Sequence, residues 1–260
     1  MASFAPIVPD WPDLPANVGA LASTRCGGFS AAPYDDGTGG GGLNLGTHVA
    51  DDAAVVARNR QRLVQDLPGR PAWLNQIHGV TVVDASAVGD AVPDADASIA
   101  MASGAVCVVM TADCLPVLFA DVDGKVVGAA HAGWRGLAAG VLGQTVAAMR
   151  AAGAGEITAW LGPAIGPQQF EVGAEVLDTF VAQAINALEE GQVRAAFRPI
   201  DGRPGKYLAD IYALGRCYLA RDGVLRVSGG NRCTVTEAAQ FYSFRRDGVT
   251  GRQASLIWIK

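Results

Sequence analysis

Residues 106–136 read VCVVMTADCLPVLFADVDGKVVGAAHAGWRG. Two apolar runs, 106–110 and 117–120, flank Cys114-Leu115-Pro116, and a third, 126–130, follows a turn at 122–125 and delivers His131. Short runs rich in β-branched residues and bounded by turn residues read as buried strands. Pro116 cannot donate to a ladder, so a kink or bulge is expected there rather than a central strand position. Kinks of that kind re-aim side chains beside active sites. Beyond His131, Gly133-Trp134-Arg135-Gly136 leads into a helix expected to reach about residue 152, with Leu137, Val141, Leu142, Val146 and Met149 on its apolar face. Backbone N–H groups at its start, helped by Arg135, can hold an anion.

Working upstream, NQIHG at 75–79 places His78 between strands expected over 72–77 and 80–85, with residues 89–96 turn-like. Asn75 and Gln76 either bond a polar ligand or close a turn. A strand over 18–24 ends at Arg25, before a sharp turn at Gly27-Gly28. Arg25 is either solvated or faces a ligand. Residues 31–50 read as loop, and the glycine run 39–42 costs entropy to order, as a flexible flap or a surface insertion. Asp51 or Asp52 can cap a helix over 53–67 with Val56, Leu63, Val64 and Leu67 on one face. His48, just before it, is a turn histidine bonded to backbone or a ligand contact. The four prolines of residues 1–16 suggest an extended path over the surface.

Downstream, the pattern alternates. A strand is expected over 157–161, a loop over 162–169, a helix near 174–188, a loop or disordered segment near 190–205, a helix over 206–220 and a strand over 225–227. The tail, 241–259, reads as a strand pair around a turn. No repeat and no G-x-x-x-x-G-K-[ST] loop occurs, and no composition shift marks a boundary, so one domain over 1–260 is expected.

The chain has 260 residues, half of them hydrophobic, enough for a substantial core. With 25 acidic and 20 basic side chains its net charge is −5, which argues against a nucleic-acid partner and for a small ligand. The N-terminus lacks a basic start followed by an apolar run, so no secretory signal is expected. The longest uncharged apolar stretch, 97–112, is too short for a membrane span. Five cysteines, an odd number without framework spacing, fit a reducing compartment, and a cytoplasmic protein is the expectation.

His78, Cys114 and His131, separated by 36 and then 17 residues, form a possible three-ligand metal site. Zinc binds thiolate and imidazole tetrahedrally; structural sites use four protein ligands, catalytic ones three with a position left open. No fourth ligand presents itself: Cys26, Cys107, Cys217 and Cys233 sit in ordinary contexts. Any metal site is therefore expected to be an open, catalytic one, where zinc can lower the pKa of water to about 7. The plainer alternative is a core cysteine and two strand-end histidines bonded to backbone. Asp113 can orient a ligating histidine or act as a general base, or simply end a strand.

At these residues the chain resembles the YfiH family, also called the multicopper polyphenol oxidase or laccase-domain family. The likeness rests on NQIHG, TADCLPVLFAD and HAGWRG in this order and spacing, and is extended by LASTRCGGFS, LNLGTHVADD, ADIYALGR and FYSFRRDGVTGR over nearly the whole chain. The loop PYDDGTGGGGLNLG, 33–46, is longer and richer in glycine than the family pattern. The resemblance implies an α+β fold with mixed sheets sandwiched between helices in α/β/β/α layers, and zinc held by His78, Cys114 and His131. It implies phosphorolysis of adenosine, inosine and 5′-methylthioadenosine, and deamination of adenosine. The residues are compatible with that chemistry, with Asp113, Cys114 and His131 as catalytic candidates and Asp113 as the candidate proton carrier in deamination. Candidates for contacts to nucleoside and phosphate are Arg25, Asn44, His48, Gln76, Arg135 and Arg245, the arginines through bidentate bonds. The H-x-E…P-C-x-x-C signature of nucleobase deaminases is absent, so any deamination is a separate solution.

Two rival chemistries are open. A His₂Cys site can hold blue copper, but that centre wants an axial ligand such as methionine, and the chain's three histidines cannot supply several copper centres. Alternatively Cys114 is a nucleophile with His131 as its base; the family is also linked to editing of peptidoglycan precursors, where an amide substrate would suit a cysteine hydrolase.

Overall fold

The structure is a computed structural model and describes residues 5–260. The chain opens with β1 (Val18–Ala22) and β2 (Cys26–Ser30), then α1 (Ala53–Val64), β3 (Pro71–Ala72), β4 (Val82–Asp84), the single turn α2 (Ala85–Val88) and β5 (Ala97–Ala100). Next come β6 (Val106–Thr111), β7 (Leu115–Asp121), β8 (Val127–Ala132), α3 (Trp134–Ala139), α4 (Val141–Ala151) and β9 (Ile157–Leu161). The last third holds β10 (Glu171–Gly173), α5 (Ala174–Ala182), α6 (Ala187–Ala195), β11 (Phe197–Pro199) and β12 (Lys206–Ala209). It closes with α7 (Ile211–Arg221), β13 (Arg226–Gly229), α8 (Phe244–Asp247) and β14 (Gln253–Ile259).

Two sheets stack face to face: a four-stranded one in the order β1-β14-β6-β3 and a six-stranded one in the order β13-β9-β7-β8-β5-β4. A small sheet, β10-β12-β11, stands apart from them in strand pairing. Alternation along each strand divides the core. On β6, Cys107 and Val109 point at the six-stranded sheet, where Leu118, Ala120, Val127 and Ala129 meet them. Val106, Val108 and Met110 point the other way, toward Leu63 of α1. On β7, Val117 and Phe119 face the helical layer built from α3, α4, α5 and α7. The layers therefore run helix, sheet, sheet, helix, an α+β fold of the expected kind. Covering both faces of both sheets is why the central strands read as unbroken apolar runs.

Several elements differ from expectation. The helix of 136–152 is two helices, broken at Gly140, whose φ of 96° is a left-handed cap. The helix of 174–188 stops at Ala182; Asn186 then caps α6, which with β11 occupies the segment read as loop. The helix of 206–220 starts as strand β12, and only after Asp210, whose carboxylate accepts from Tyr212 and Ala213 N–H, does α7 begin. The apolar stretch 97–112 is two strands in different sheets, joined by a turn with Gly104 at φ 84°. In the tail only β14 is a strand; the first half forms α8. Strands around His78 shrink to β3 and β4.

Pro116 lies inside β7, a central strand, rather than at a bulge. It is tolerated because pairing with β9 starts only at Val117, and the Pro116 carbonyl still accepts from Gly162 N–H at 2.9 Å. The sharp turn falls earlier, at Asp113, where φ is 92°. Of the stretch expected to run over the surface, residues 1–4 lie outside the described residues. Beyond them Ile7 bridges Ala22, and Trp11 is buried between the sheets, its indole donating to the Thr158 hydroxyl at 2.9 Å. As anticipated, α1 is capped, by Asp52, through Ala54 and Val55 N–H. The glycine-rich loop is tied at its base: one Asp36 oxygen accepts from Thr38 N–H, the Thr38 hydroxyl and Gly40 N–H.

Candidate metal centre

Cys114 sits where the chain passes from β6, in the four-stranded sheet, to β7, in the six-stranded one. His131 is the penultimate residue of β8, whose ladder with β7 pairs Leu115 with Ala132 and Pro116 with His131. That pairing brings the ends of both strands together. His78 lies in the loop before β4, with φ 61°, a left-handed conformation that a residue with a side chain holds only when its surroundings enforce it. The three potential ligand atoms lie within 4.8 Å of one another. Cys114 Sγ is 3.8 Å from His78 Nε2, and the two imidazoles meet edge to face with centroids 4.8 Å apart.

One carboxylate underlies the cluster. Asp96, fully buried, takes His131 Nδ1 on Oδ1 at 2.8 Å and His78 N–H on the same oxygen at 2.9 Å. Its Oδ2 accepts from Gly79 N–H at 2.6 Å and Ile77 N–H at 3.2 Å. Burial works against the charge on Asp96, but these bonds, led by the one from His131, hold its carboxyl below the usual range. Burial alone would raise the Cys114 thiol; the His131 charge and hydrogen bonds from both histidines outweigh it and bring the thiol down to about 6. Burial likewise opposes charge on His131, yet the facing Cys114 and Asp96 raise its pKa.

The cluster forms part of the wall of a cavity of about 410 Å³. Of the residues expected at a ligand site, His48, Gln76, Asp113, Arg135 and Arg245 line it. Their freedom differs. Both ends of the Gln76 amide bond the Met110 backbone, at 2.7 and 2.8 Å, so Gln76 fastens its loop to β6. Arg245 Nη1 donates to the Glu171 carbonyl at 2.9 Å. The Arg135 guanidinium lies 4.5 Å from the Trp134 ring centroid and makes no hydrogen bond among the described residues. Among the described residues Asp113 makes no hydrogen bond to His78 or His131; Asp96 is the carboxylate that holds His131. Asp113 instead accepts from the Thr234 hydroxyl and from Arg245 N–H, both at 2.6 Å, and so draws two wall segments together.

Two expected contacts do not reach the cavity. Arg25 is buried, with Nε and Nη2 on the Asp35 carbonyl at 3.1 and 2.9 Å and Nη1 on the Ala238 carbonyl at 3.0 Å. Asn44 is fully buried; its Oδ1 accepts from Gly46 and Arg252 N–H and its Nδ2 donates to Asp51. Both hold loops in place. The sequence reading missed Asp96 and Arg252. Arg252 lines the cavity, with Nη1 on the Thr250 and Gly251 carbonyls and burial lowering its pKa. Trp134, Phe170 and Phe244 add aromatic surface.

The donor set suits zinc. A thiolate and two imidazoles are ligands of its preferred kind, and the 3.8 Å sulfur–nitrogen separation is near the roughly 3.6 Å edge of a tetrahedron built on Zn–S and Zn–N bonds. With His131 Nδ1 on Asp96, Nε2 is the nitrogen left for an ion. No helix among the described residues is long and apolar enough to cross a membrane.

Known proteins share this arrangement of chain. A Pseudomonas aeruginosa protein described as a purine nucleoside phosphorylase is 51% identical over 254 residues, covering 98% of each chain. Purine nucleoside phosphorylase YfiH of Escherichia coli is 50% identical over 255 residues, covering 97% of this chain and 98% of its own. The crystal structure of a Neisseria meningitidis DUF152 protein superposes with a TM-score of 0.89 at 48% identity, covering 98% of this chain and 99% of that one. The family pattern described as multi-copper polyphenol oxidoreductase laccase matches residues 19–260. With that match over most of its length, and relatives at half identity end to end, the chain belongs to the laccase-domain family that includes YfiH.

Proposed function

We propose that this chain is a zinc-dependent purine nucleoside phosphorylase acting on adenosine, inosine and 5′-methylthioadenosine, which also deaminates adenosine. The observation that carries the reading is the convergence of His78, Cys114 and His131 on one side of a cavity that also holds arginine donors and aromatic faces. The names of the Pseudomonas and Escherichia relatives support the same class of substrate. His78, Cys114 and His131 would hold the ion, which when bound supplies Lewis acidity at an open coordination position.

The remaining work falls to the chain. In phosphorolysis, phosphate attacks the anomeric carbon as the C–N bond breaks, so the site must hold a dianion close to a sugar gaining positive charge. Arg135 has donors without a hydrogen-bond partner among the described residues, and Arg252, whose Nη1 is committed, has Nε and Nη2 left over; together they are the proposed phosphate clamp. Phe244, more than half exposed at the rim, and Phe170 offer flat apolar faces to a purine. Asp113 lines the wall with both oxygens fixed and is the proposed proton carrier in deamination.

The test is direct. His78→Ala, Cys114→Ala and His131→Ala should each lose zinc and turnover of adenosine while keeping the far-UV circular dichroism of the parent. Wild-type turnover in all three would end the proposal. Product analysis with adenosine, with and without phosphate, separates phosphorolysis from deamination.

A cysteine hydrolase is the second reading, favoured by the lowered Cys114 thiol beside His131, whose Nδ1 is in turn held by Asp96. Chelation separates the two: activity lost with chelator and restored by zinc supports the metalloenzyme, and full activity without metal supports the hydrolase. A copper polyphenol oxidase has less support. The cluster offers two imidazoles, and the sulfur of Met110, a methionine of the cavity wall, is engaged by Arg60 at 3.8 Å.

A further inference from the structure

We propose that Asp96 is the positioning residue of the metal centre, setting the tautomer of one ligand and the backbone conformation of another through a single carboxylate. The inference rests on the reading of His78, Cys114 and His131 as metal ligands and extends it to a residue outside that set.

Four hydrogen bonds carry it. On Oδ1, the bond with His131 Nδ1 at 2.8 Å fixes that nitrogen as the protonated one, because a carboxylate only accepts. In the neutral ring the other nitrogen is then the lone-pair donor, and an ion bound there takes the place of its proton. The remaining three bonds come from consecutive backbone N–H groups, those of Ile77, His78 and Gly79. Successive amides converging on an anion form a nest, and the nest needs one residue turned left-handed. That residue is His78 itself, at φ 61°. The bend that lets three amides grip Asp96 is thus the bend that aims the His78 imidazole at Cys114, 3.8 Å away. Asp96 also accepts His131 N–H on its own carbonyl at 2.7 Å, so the β5 and β8 backbones are locked beside the side-chain contact.

An asparagine cannot replace it. All four groups facing the two Asp96 oxygens are donors. An amide presents one oxygen and one NH₂, so on one side a donor meets a donor. If the NH₂ faces His131, the ring must move its proton to Nε2 and loses the lone pair that would coordinate. If it faces Gly79 and Ile77, the nest opens.

The experiment uses the full chain and zinc alone as probe. Zinc affinity is measured by competition with a chelating dye for the parent, Asp96→Asn and, as a control in the same segment, Asp94→Asn, whose carboxylate bonds only the Asn75 side chain among the described residues. Melting of the metal-free proteins is recorded alongside. Asp96→Asn should weaken zinc binding by about 10–100-fold, with Asp94→Asn unchanged. Undiminished affinity in Asp96→Asn, even with a lowered melting temperature, would show a merely structural role and overturn the proposal. Should Asp96→Asn not fold, nitrogen-15 spectra of the zinc-loaded parent decide: the proton on Nδ1 of His131 and the ion on Nε2 are expected, and the reverse assignment overturns it. A parent that binds no zinc sinks the ligand set and this inference together, whereas failure at Asp96 alone leaves the ligand set standing.

Discussion

A methyl group on Gly133 would stand 2.7 Å from Cδ2 of His78 and 3.0 Å from Cys114 Sγ. The backbone there, at φ −58° and ψ 154°, is one that alanine adopts freely, so the conflict lies with the two side chains and not with the chain. Gly133→Ala should therefore leave the fold intact and weaken zinc binding by at least about tenfold through displaced ligands. Titration with zinc beside circular dichroism checks it; parental affinity would mean that the three side chains do not act together on an ion.

In metal-free protein the cysteines should react in a definite order. Thiolate is the reactive form. Cys114 ionises at about 6, while burial pushes the fully buried Cys107 up to about 12. Iodoacetamide at pH 7 should label Cys114 ahead of Cys26 and Cys217, whose burial raises their pKa, and Cys107 last. Because the Cys114 pKa is depressed, its labelling should hold steady above neutrality and fall as pH drops below about 6. Zinc should protect it. Peptide mass spectrometry reads the order, and unprotected labelling in the presence of zinc would contradict the ligand assignment.

Two arginines should separate binding from stability. Arg135→Ala should raise the KM for phosphate with little change in melting temperature, since its guanidinium makes no hydrogen bond among the described residues. Arg25→Ala strands the Asp35 and Ala238 carbonyls and should destabilise the fold by about 2 kcal/mol, with the phosphate KM unchanged. Steady-state kinetics and denaturant unfolding of the two variants test this, and a phosphate KM unmoved in Arg135→Ala removes that residue from the clamp.

Asn59 is the buried polar centre of α1. Its Oδ1 accepts from Phe29 N–H, and its Nδ2 donates to the Ser30 hydroxyl and the carbonyls of Gly42 and Asn44. Asn59→Ala leaves several of these groups without partners and should cost about 2–4 kcal/mol, seen as a lower urea midpoint. A loss below about 1 kcal/mol would show that water replaces the amide.

The central strands were legible because the stacked sheets bury both faces, which leaves a run of apolar residues in the sequence. The α1 helix was legible from Asp52 and the spacing of Val56 and Leu63. The short elements of the last third were not, since a nine-residue helix such as α6 shows only about two and a half turns of periodicity. Within the site, the cluster of His78, Cys114 and His131 could be named because thiols and imidazoles are scarce here. Asp96 could not: one acid among many at the end of a turn looks solvated until its four donors are seen. Arg25 and Asn44 are the opposite case, motif polar residues whose hydrogen bonds go to neighbouring loops. Arg252 went unnoticed because its backbone N–H, held by Asn44, helps seat it at the cavity from the far end of the chain.

The Cys114 sulfur occupies the step at which the polypeptide leaves one β-layer for the next, with Asp113 twisted beside it. A shear between the layers would pull directly on that step. An ion gripped there would tie down the connection between the two halves of the sandwich.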